Sequence, residues 1–240
     1  MKNARAIIEQ ARRESRLQLT ELEAKILVGD AGIPVTVPHL ATSPQQATSL
    51  AQEIGFPVVL KVESPDIVHK SDVGGVVLSI DSPDQVSVAF ASIMDSVTRE
   101  APNATVRGIS VQRMAPPGIE VIIGVSTDPQ FGHVVMFGLG GILVEMLRDV
   151  SFRVVPITSR DAHQMVREVK GYRLLQGFRG QPPADLDALR EALVGVSRLV
   201  EENPEIMEMD LNPVLAYPDG IVAVDARTIL SPSSMVEGGR

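Results

Sequence analysis

Three stretches of the chain hold side chains suited to handling phosphate. The first is Lys61, inside the apolar run Val58-Val-Leu-Lys-Val62. Strand alternation sets Lys61 with Val59 and Glu63 and opposite Val58, Leu60 and Val62, so its face is not expected to be dry core. An ammonium carried on a strand is held more rigidly than one on a loop and can sit over a phosphate. The same pattern also fits a solvated lysine on an exposed strand face.

The second stretch, Asp66 to Gly75, joins His69, Lys70 and the pair Gly74-Gly75 in one connection. Adjacent glycines let backbone N–H groups approach an anion, and Lys70 adds charge. An imidazole can accept a phosphoryl group and pass it on, which is the one chemistry that would single out His69 from an ordinary loop histidine. The third stretch is Asp210-Leu-Asn-Pro213, followed by Val224-Asp-Ala-Arg227. Asp210 and Asn212 share one strand face, and a hairpin can bring Asp225 to them. Three oxygen-bearing side chains suit Mg²⁺, a hard cation that also binds substrate phosphates, although two capped strand ends would give the same spelling. Gly138 to Gly141 forms another glycine-rich stretch that fits either a phosphate loop or a turn. Glu120, Glu145, Asp149 and Arg153 are charges beside apolar segments, compatible with a lined cleft or with strand edges. His39, His133 and His163 have no partner at a recognisable spacing.

Composition narrows what these residues can serve. The 240 residues include 22 Lys and Arg against 30 Asp and Glu, a net charge of −8, which opposes an extended basic surface for nucleic acid or anionic lipid. There is no Cys and no Trp, so disulfides, thiolate metal sites, a cysteine nucleophile and tryptophan stacking platforms are excluded. The first nineteen residues are charged throughout and lack a signal-peptide core, and no apolar run is long enough to cross a bilayer. A cytoplasmic chain without membrane attachment is the expectation.

The elements that must position these residues are α and β in mixture. Periodicity predicts an amphipathic helix from Lys2 to about Leu17 and another from Thr20, whose spacing to Glu23 is that of a capping box. A short strand is expected over Ile33 to Val37, a helix from Pro44 to Ile54, and a long-looped hairpin of Pro57 to Glu63 with Gly75 to Ile80. A helix follows from Pro83 to about Arg99, then a strand at Val106 to Gln112. Pro116-Pro117-Gly118 is the strongest turn signal and reads as the boundary between two lobes. Beyond it come strands at Ile119 to Ser126, His133 to Phe137 and Phe152 to Ile157, with a short segment at Ile142 to Leu147. Helices at Ser159 to Val169 and Asp185 to Glu202 and strands at Ile206 to Leu211 and Ile221 to Asp225 complete the lobe. The expected organisation is an N-terminal helix over 1–19, one α+β lobe over 20–115, a second over 116–230 and a flexible tail over 231–240.

In order along the chain, Leu19-Thr-Glu-Leu-Glu-Ala-Lys25, Gly55-Phe-Pro-Val-Val-Leu-Lys61, His69-Lys-Ser-Asp-Val-Gly-Gly-Val76, Gly118-Ile-Glu-Val-Ile-Ile-Gly124, Phe137-Gly-Leu-Gly-Gly141, Asp210-Leu-Asn-Pro213 and Val224-Asp-Ala-Arg227 resemble the ATP-grasp family. Within it, they resemble the β subunits of ADP-forming acetate–CoA ligases among the NDP-forming acyl-CoA synthetases, relatives of succinyl-CoA synthetase. The resemblance covers about Leu19 to Leu230. It implies an ATP-grasp fold of the α+β class, mixed α/β in content, in which two lobes grip ATP or ADP. It also implies Val111, Gln112 and Met114 against adenine, Lys61 and Lys70 on phosphates, Gly74 and Gly75 over them, and Glu120 near the nucleotide. Asn212 and Asp225 would hold Mg²⁺ with Asp210 beside them, and His69 would carry phosphate as a second phosphohistidine. No CoA-binding domain is spelled here, so the resemblance implies a separate α subunit with the first phosphohistidine, in an α₂β₂ heterotetramer. A stand-alone ligase joining a carboxylic acid to an amine and a nucleotide-sensing module are the competing readings.

Overall fold

The computed structural model describes residues 3–67, 69–141, 149–180 and 182–232. The predicted segment at Ile142 to Leu147, Glu145 and the tail from 233 lie outside them. The chain divides into two compact units, one formed by Thr36–Pro116 and a larger one formed by Met1–Val35 together with Pro117–Arg240.

In the larger unit, α1 (Ala4–Arg13) and α2 (Glu21–Asp30) precede the strands β5 (Ile119–Asp128), β6 (Gly132–Leu139) and β7 (Val150–Val154). Next come α5 (Ser159–Glu168), α6 (Tyr172–Leu175) and α7 (Leu186–Glu202), then β8 (Ile206–Tyr217), β9 (Gly220–Ala223) and β10 (Arg227–Leu230). Among the described residues these strands pair antiparallel, in the order β10-β8-β5-β6-β7 with β9 beside β8. The smaller unit has β1 (His39–Ala41), α3 (Pro44–Ile54), β2 (Val58–Glu63), β3 (Val76–Ile80), α4 (Pro83–Glu100) and β4 (Gly108–Arg113). Its antiparallel sheet runs β1-β4-β2-β3.

The helices α2, α3 and α4 start where the sequence predicts. Thr20 accepts from the Glu23 N–H while the Glu23 carboxylate accepts from the Thr20 N–H at 2.8 Å, a complete capping box. Ser43 and Ser82 each cap a helix that has Pro at its first turn. The long-looped hairpin is present as β2 and β3.

The grouping of the N-terminal segment differs from the sequence reading. The turn at Pro116 does separate the units, but residues 20–35 and the first helix belong with the C-terminal half. Long-range pairing is the reason: the Leu19 N–H donates to the Thr228 carbonyl (3.0 Å), the Leu230 N–H to Leu17 (2.7 Å), and the Ala223 N–H to Pro34 (2.8 Å). The strand expected over Ile33 to Val37 reduces to one bridge, Val35 with Ala223. β1, α6 and β10 were not anticipated.

Each unit has its own core. In the smaller unit Val58, Leu60, Val62, Ile109 and Val111 meet Ala47, Ala51, Val86, Phe90 and Ile93 of α3 and α4. In the larger unit Val121, Ile123, Val135, Phe137, Leu211 and Leu230 meet Leu27, Val28, Met165, Leu193 and Val196 from the helices.

One charge pair lies wholly inside the larger unit: Lys25 Nζ is 2.8 Å from Glu21 Oε1, with side chains 1% and 2% exposed. Removing one member of such a pair leaves a buried charge without its partner, at about 3–5 kcal/mol. Lys25→Met is therefore expected to lower the melting temperature by at least about 6 °C, as measured by circular dichroism. A melting temperature at the wild-type value would show that the pair contributes nothing.

Candidate functional site

Both rows of side chains on β2 are buried. Val58, Leu60 and Val62 enter the core, and Val59, Lys61 and Glu63, on the other face, are 3–5% exposed. Lys61 is thus not the solvated lysine that the alternation also allowed. Register places it between Ser110 of β4 and Val76 of β3, and Gln112 falls on the same face, opposite Val59. Glu63, Ser110 and Gln112 make this a polar but enclosed surface, where every charge must be compensated. The Thr36 hydroxyl donates to Gln112 Oε1 at 3.4 Å.

Val111 lies elsewhere. It occupies the middle of β4 between β1 and β2, with its side chain in the apolar core at 0% exposure. Strand alternation turns the Val111 side chain inward wherever Gln112 turns outward. Met114 is half-buried, and its N–H donates to the Pro57 carbonyl at 3.0 Å.

The connection between β2 and β3 is built around a single turn of 3₁₀ helix, Lys70–Val73, with His69 at its start and Gly74 at its end. Gly74 takes the left-handed conformation (φ 65°) that closes this turn. Gly75 has another reason to be glycine: a Cβ there would lie 2.6 Å from Val62 Cγ1 and 2.8 Å from the Lys70 carbonyl oxygen. Its N–H donates to that carbonyl and its own carbonyl accepts from Val62, both at 2.7 Å. At the far end, the Thr105 N–H donates to Asp66 Oδ2 at 2.7 Å. That bond holds the Asp66 carboxyl below its usual range, helped by the Thr105 side chain and the Arg107 charge. Between these anchors His69 is exposed and Lys70 half-exposed. The fold therefore brings Lys61, Lys70, Gly74 and Gly75 to one end of β2 and β3 with His69 displayed beside them.

The acidic set lies on the sheet of the larger unit. Helices cover one face of that sheet, so Met209 and Leu211 of β8 are buried while Glu208, Asp210 and Asn212 between them are exposed on the other. A bulge adds a residue to β8 opposite Ile122, between the pairs Val121↔Val214 and Ile123↔Leu211. Asn212 and Pro213 lie in this bulge. The Val224 N–H donates to the Pro213 carbonyl at 3.0 Å, which draws the β9–β10 turn and Asp225 to the same place. Asp225 Oδ1 accepts from the Ala226 N–H at 2.8 Å.

Asp210 and Asp225 sense each other. Although Asp210 reaches solvent, the walls of its concavity strip much of its water and push the carboxyl above its usual value, and the charge of Asp225 pushes it further, with Arg227 pulling back. Asp210, Asn212 and Asp225 supply two carboxylates and an amide oxygen, the hard donors that Mg²⁺ takes while keeping waters. Among the described residues no group of three or more His, Asp and Glu is arranged to hold a metal. A site here would rest on this mixed set and the nucleotide's own oxygens.

Glu120 is exposed on β5 opposite Leu215, on the face that carries Ile122 and Gly124. The glycine-rich stretch is shaped around it: the Gly140 N–H donates to the Glu120 carbonyl at 2.8 Å, a Cβ on Gly140 would meet Glu120 Cβ at 2.9 Å, and Gly141 has a positive φ. Two other charges are spent on structure. Asp149 is buried and accepts from the Lys170 and Gly171 N–H groups, both at 2.7 Å, and Arg153 is paired with Glu168. His133 Nε2 lies 2.7 Å from the Ile206 carbonyl, and His163 lies between Arg167 and Arg190. Arg227 is the residue that sequence reasoning passed over. It stands opposite Asp210 on β10, and the signal was its place two residues after Asp225.

Two outcomes follow in metal-free protein. A folded-state carboxyl raised above its unfolded value favours folding below the unfolded pKa and loses that contribution as pH rises through the folded one. Asp210→Asn should therefore raise the melting temperature at pH 7, by up to about 4 °C given its exposure, with the gain fading at pH 3. A lower melting temperature at pH 7 would contradict the repulsion. Gly75→Ala should cost about 1–3 kcal/mol through overpacking against Val62 and the Lys70 carbonyl, measured by urea unfolding, and an unchanged midpoint would remove the close-packing argument.

Residues 10–230 match the model of the ATP-grasp domain family. The chain is 49% identical over 227 residues to the β subunit of acetate–CoA ligase [ADP-forming] I of Pyrococcus furiosus, covering 95% of this chain and 97% of that one. Among solved structures it is similar to the dinucleotide-forming acetyl-coenzyme A synthetase 1 of Candidatus Korarchaeum cryptofilum, in complex with coenzyme A and Ca-AMPCP. That match has a TM-score of 0.93 and 53% identity, over 95% of this chain and all of that one. A second structure of the same enzyme, with coenzyme A and Mg-AMPPCP and a phosphohistidine segment pointing towards the nucleotide-binding site, matches with a TM-score of 0.85 and 49% identity, again over 95% of this chain and all of that one. With the family model matched over residues 10–230 and nearly the whole length of such a β subunit covered at 49% identity, the chain belongs to the ATP-grasp family, among the β subunits of ADP-forming acetate–CoA ligases.

Proposed function

We propose that this chain is the nucleotide-binding β subunit of an ADP-forming acyl-CoA synthetase, and that it moves a phosphoryl group between ATP or ADP and a phosphohistidine relay. The overall reaction would be acyl-CoA + ADP + phosphate ⇌ carboxylic acid + CoA + ATP. The thioester chemistry requires an α subunit bearing the CoA site and the first phosphohistidine, in an α₂β₂ assembly, and the cytoplasm is the compartment that fits. Among the described residues no helix is long and apolar enough to cross a membrane.

In this reading a ring nitrogen of His69 attacks the phosphorus carried by the α subunit's histidine. One N–P bond forms as the other breaks, and the imidazole of the α subunit is released. The oxygen of ADP's terminal phosphate then takes the group from His69, a P–O bond replaces the N–P bond, and the His69 ring returns to its starting state. Lys61 and Lys70 offset phosphate charge, and the backbone N–H groups near Gly74 and Gly75 offer close approach without side chains in the way. Glu120 and Gln112 orient the nucleotide. Asp210, Asn212 and Asp225 would hold Mg²⁺, which when bound supplies charge neutralisation at the phosphates.

The observation that supports this reading best is the exposed imidazole of His69 at the head of a loop whose glycine end packs on β2 beside Lys61. Among the described residues, no hydrogen bond or ion pair holds its ring. An amine-coupling ligase would have no use for it, and a degenerate sensor would have no need of intact Lys61, Asn212 and Asp225.

Incubation of the chain with γ-labelled ATP and Mg²⁺ is expected to leave acid-labile, alkali-stable label on His69, and none on a His69→Ala protein. Label retained by His69→Ala at the wild-type level would refute the relay.

A further inference from the structure

The open face of the larger unit's sheet carries a pocket of about 390 Å³ that continues past the acidic set. Its polar wall is Ser126, Glu208, Asp210, Asn212 and Arg227. Arg227 opens β10 directly opposite Asp210, which itself lies opposite Gly124 of β5. Its guanidinium makes no hydrogen bond and no ion pair with any described residue. Its charge is felt by Asp210, but an arginine that faces two carboxylates across a pocket without closing on either keeps its hydrogen-bonding fork open. Its charge is permanent, and its planar fork matches two oxygens of a phosphate.

Position along the face gives that fork a role. Read along β5, Glu120 comes first, opposite Leu215, then Ile122 beside the Asn212 bulge, then Gly124 in line with Asp210 and Arg227. With Glu120 near the nucleotide and Asn212 among the metal-holding residues, Arg227 lies beyond Asn212 on the side away from Glu120. A phosphoryl group leaving the nucleotide in that direction enters a pocket where Glu208 and Asp210 would repel it, unless a cation offsets them.

We infer that Arg227 grips the phosphoryl group in transit, recognising the terminal phosphate of a nucleoside triphosphate and not the two phosphates that remain in ADP. This rests on the nucleotide-binding reading above, but not on His69 being the acceptor. Arg227 does not form or break a bond. It binds the group and admits it to an acidic pocket.

The test measures calorimetric affinity of the full chain, with Mg²⁺, for the non-hydrolysable β,γ-imido analogue of ATP and for ADP. Arg227→Met should weaken the analogue about 10- to 100-fold, the value of hydrogen bonds to a charged group, and ADP less than about 3-fold. Arg227→Lys should recover most of the loss. Because Arg227 is exposed, both variants should melt close to wild type, and Arg227→Gln provides the same comparison if Met perturbs the fold. Equal losses for both nucleotides, or no loss for either, would overturn the inference. Selective loss of the analogue in a protein that never labels on His69 would uphold Arg227 and count against the phosphohistidine relay.

Discussion

Everything proposed for the acidic set depends on one constraint, that helices cover a single face of the larger unit's sheet. Val121, Ile123, Val135, Phe137, Leu211 and Leu230 are drawn beneath those helices, and strand alternation sends their neighbours to the opposite side. Glu120 and Ser126 on β5, Asp210 and Asn212 on β8 and Arg227 on β10 are outward because the residues between them are inward. A slip of one residue in register would exchange the two sets, burying carboxylates and exposing the core, at a cost no small domain could bear. The hydrophobic core thus fixes where the charges stand. The bulge at Asn212 and Pro213 then tunes the fit, bringing the turn with Asp225 alongside.

The smaller unit solves a different problem. It must hold a buried lysine in place while offering a histidine to solvent a few residues away. Lys61 is locked in an inner strand between β3 and β4, whereas His69 lies on a loop tied at its two ends by Asp66 and Gly75. Ends that are fixed and a displayed middle suit a side chain that must meet more than one partner. The left-handed turn at Gly74 and the tight approach at Gly75 are what fold the loop back onto β2, so packing alone already requires the glycine pair.

What the sequence made legible was local. The capping box at Thr20 and Glu23, the Pro-initiated helices and the hairpin around Lys61 each have a signature within a few residues. What it hid was long-range. Nothing near Leu17 or Leu19 announces pairing with Leu230 and Thr228, so the helix over 1–19 was set apart and residues 20–35 were grouped with the lobe that ends at residue 115. β1 is three residues long and carries no alternation to read. β10 hid behind Asp225, and with it the register that sets Arg227 against Asp210. Which members of the Val111 to Met114 stretch turn a side chain outward was hidden too, because a resemblance names a stretch whereas alternation within the strand sets the direction of each side chain.

The account stands on the open face of the larger sheet being where metal and nucleotide phosphate meet. Anomalous diffraction from crystals grown with Mn²⁺ and ADP tests this most directly. A peak within coordination distance of Asn212 and Asp225, with nucleotide density reaching it, is the result expected. A peak elsewhere in the chain, with Asn212 and Asp225 bonded only to protein and solvent, would contradict it.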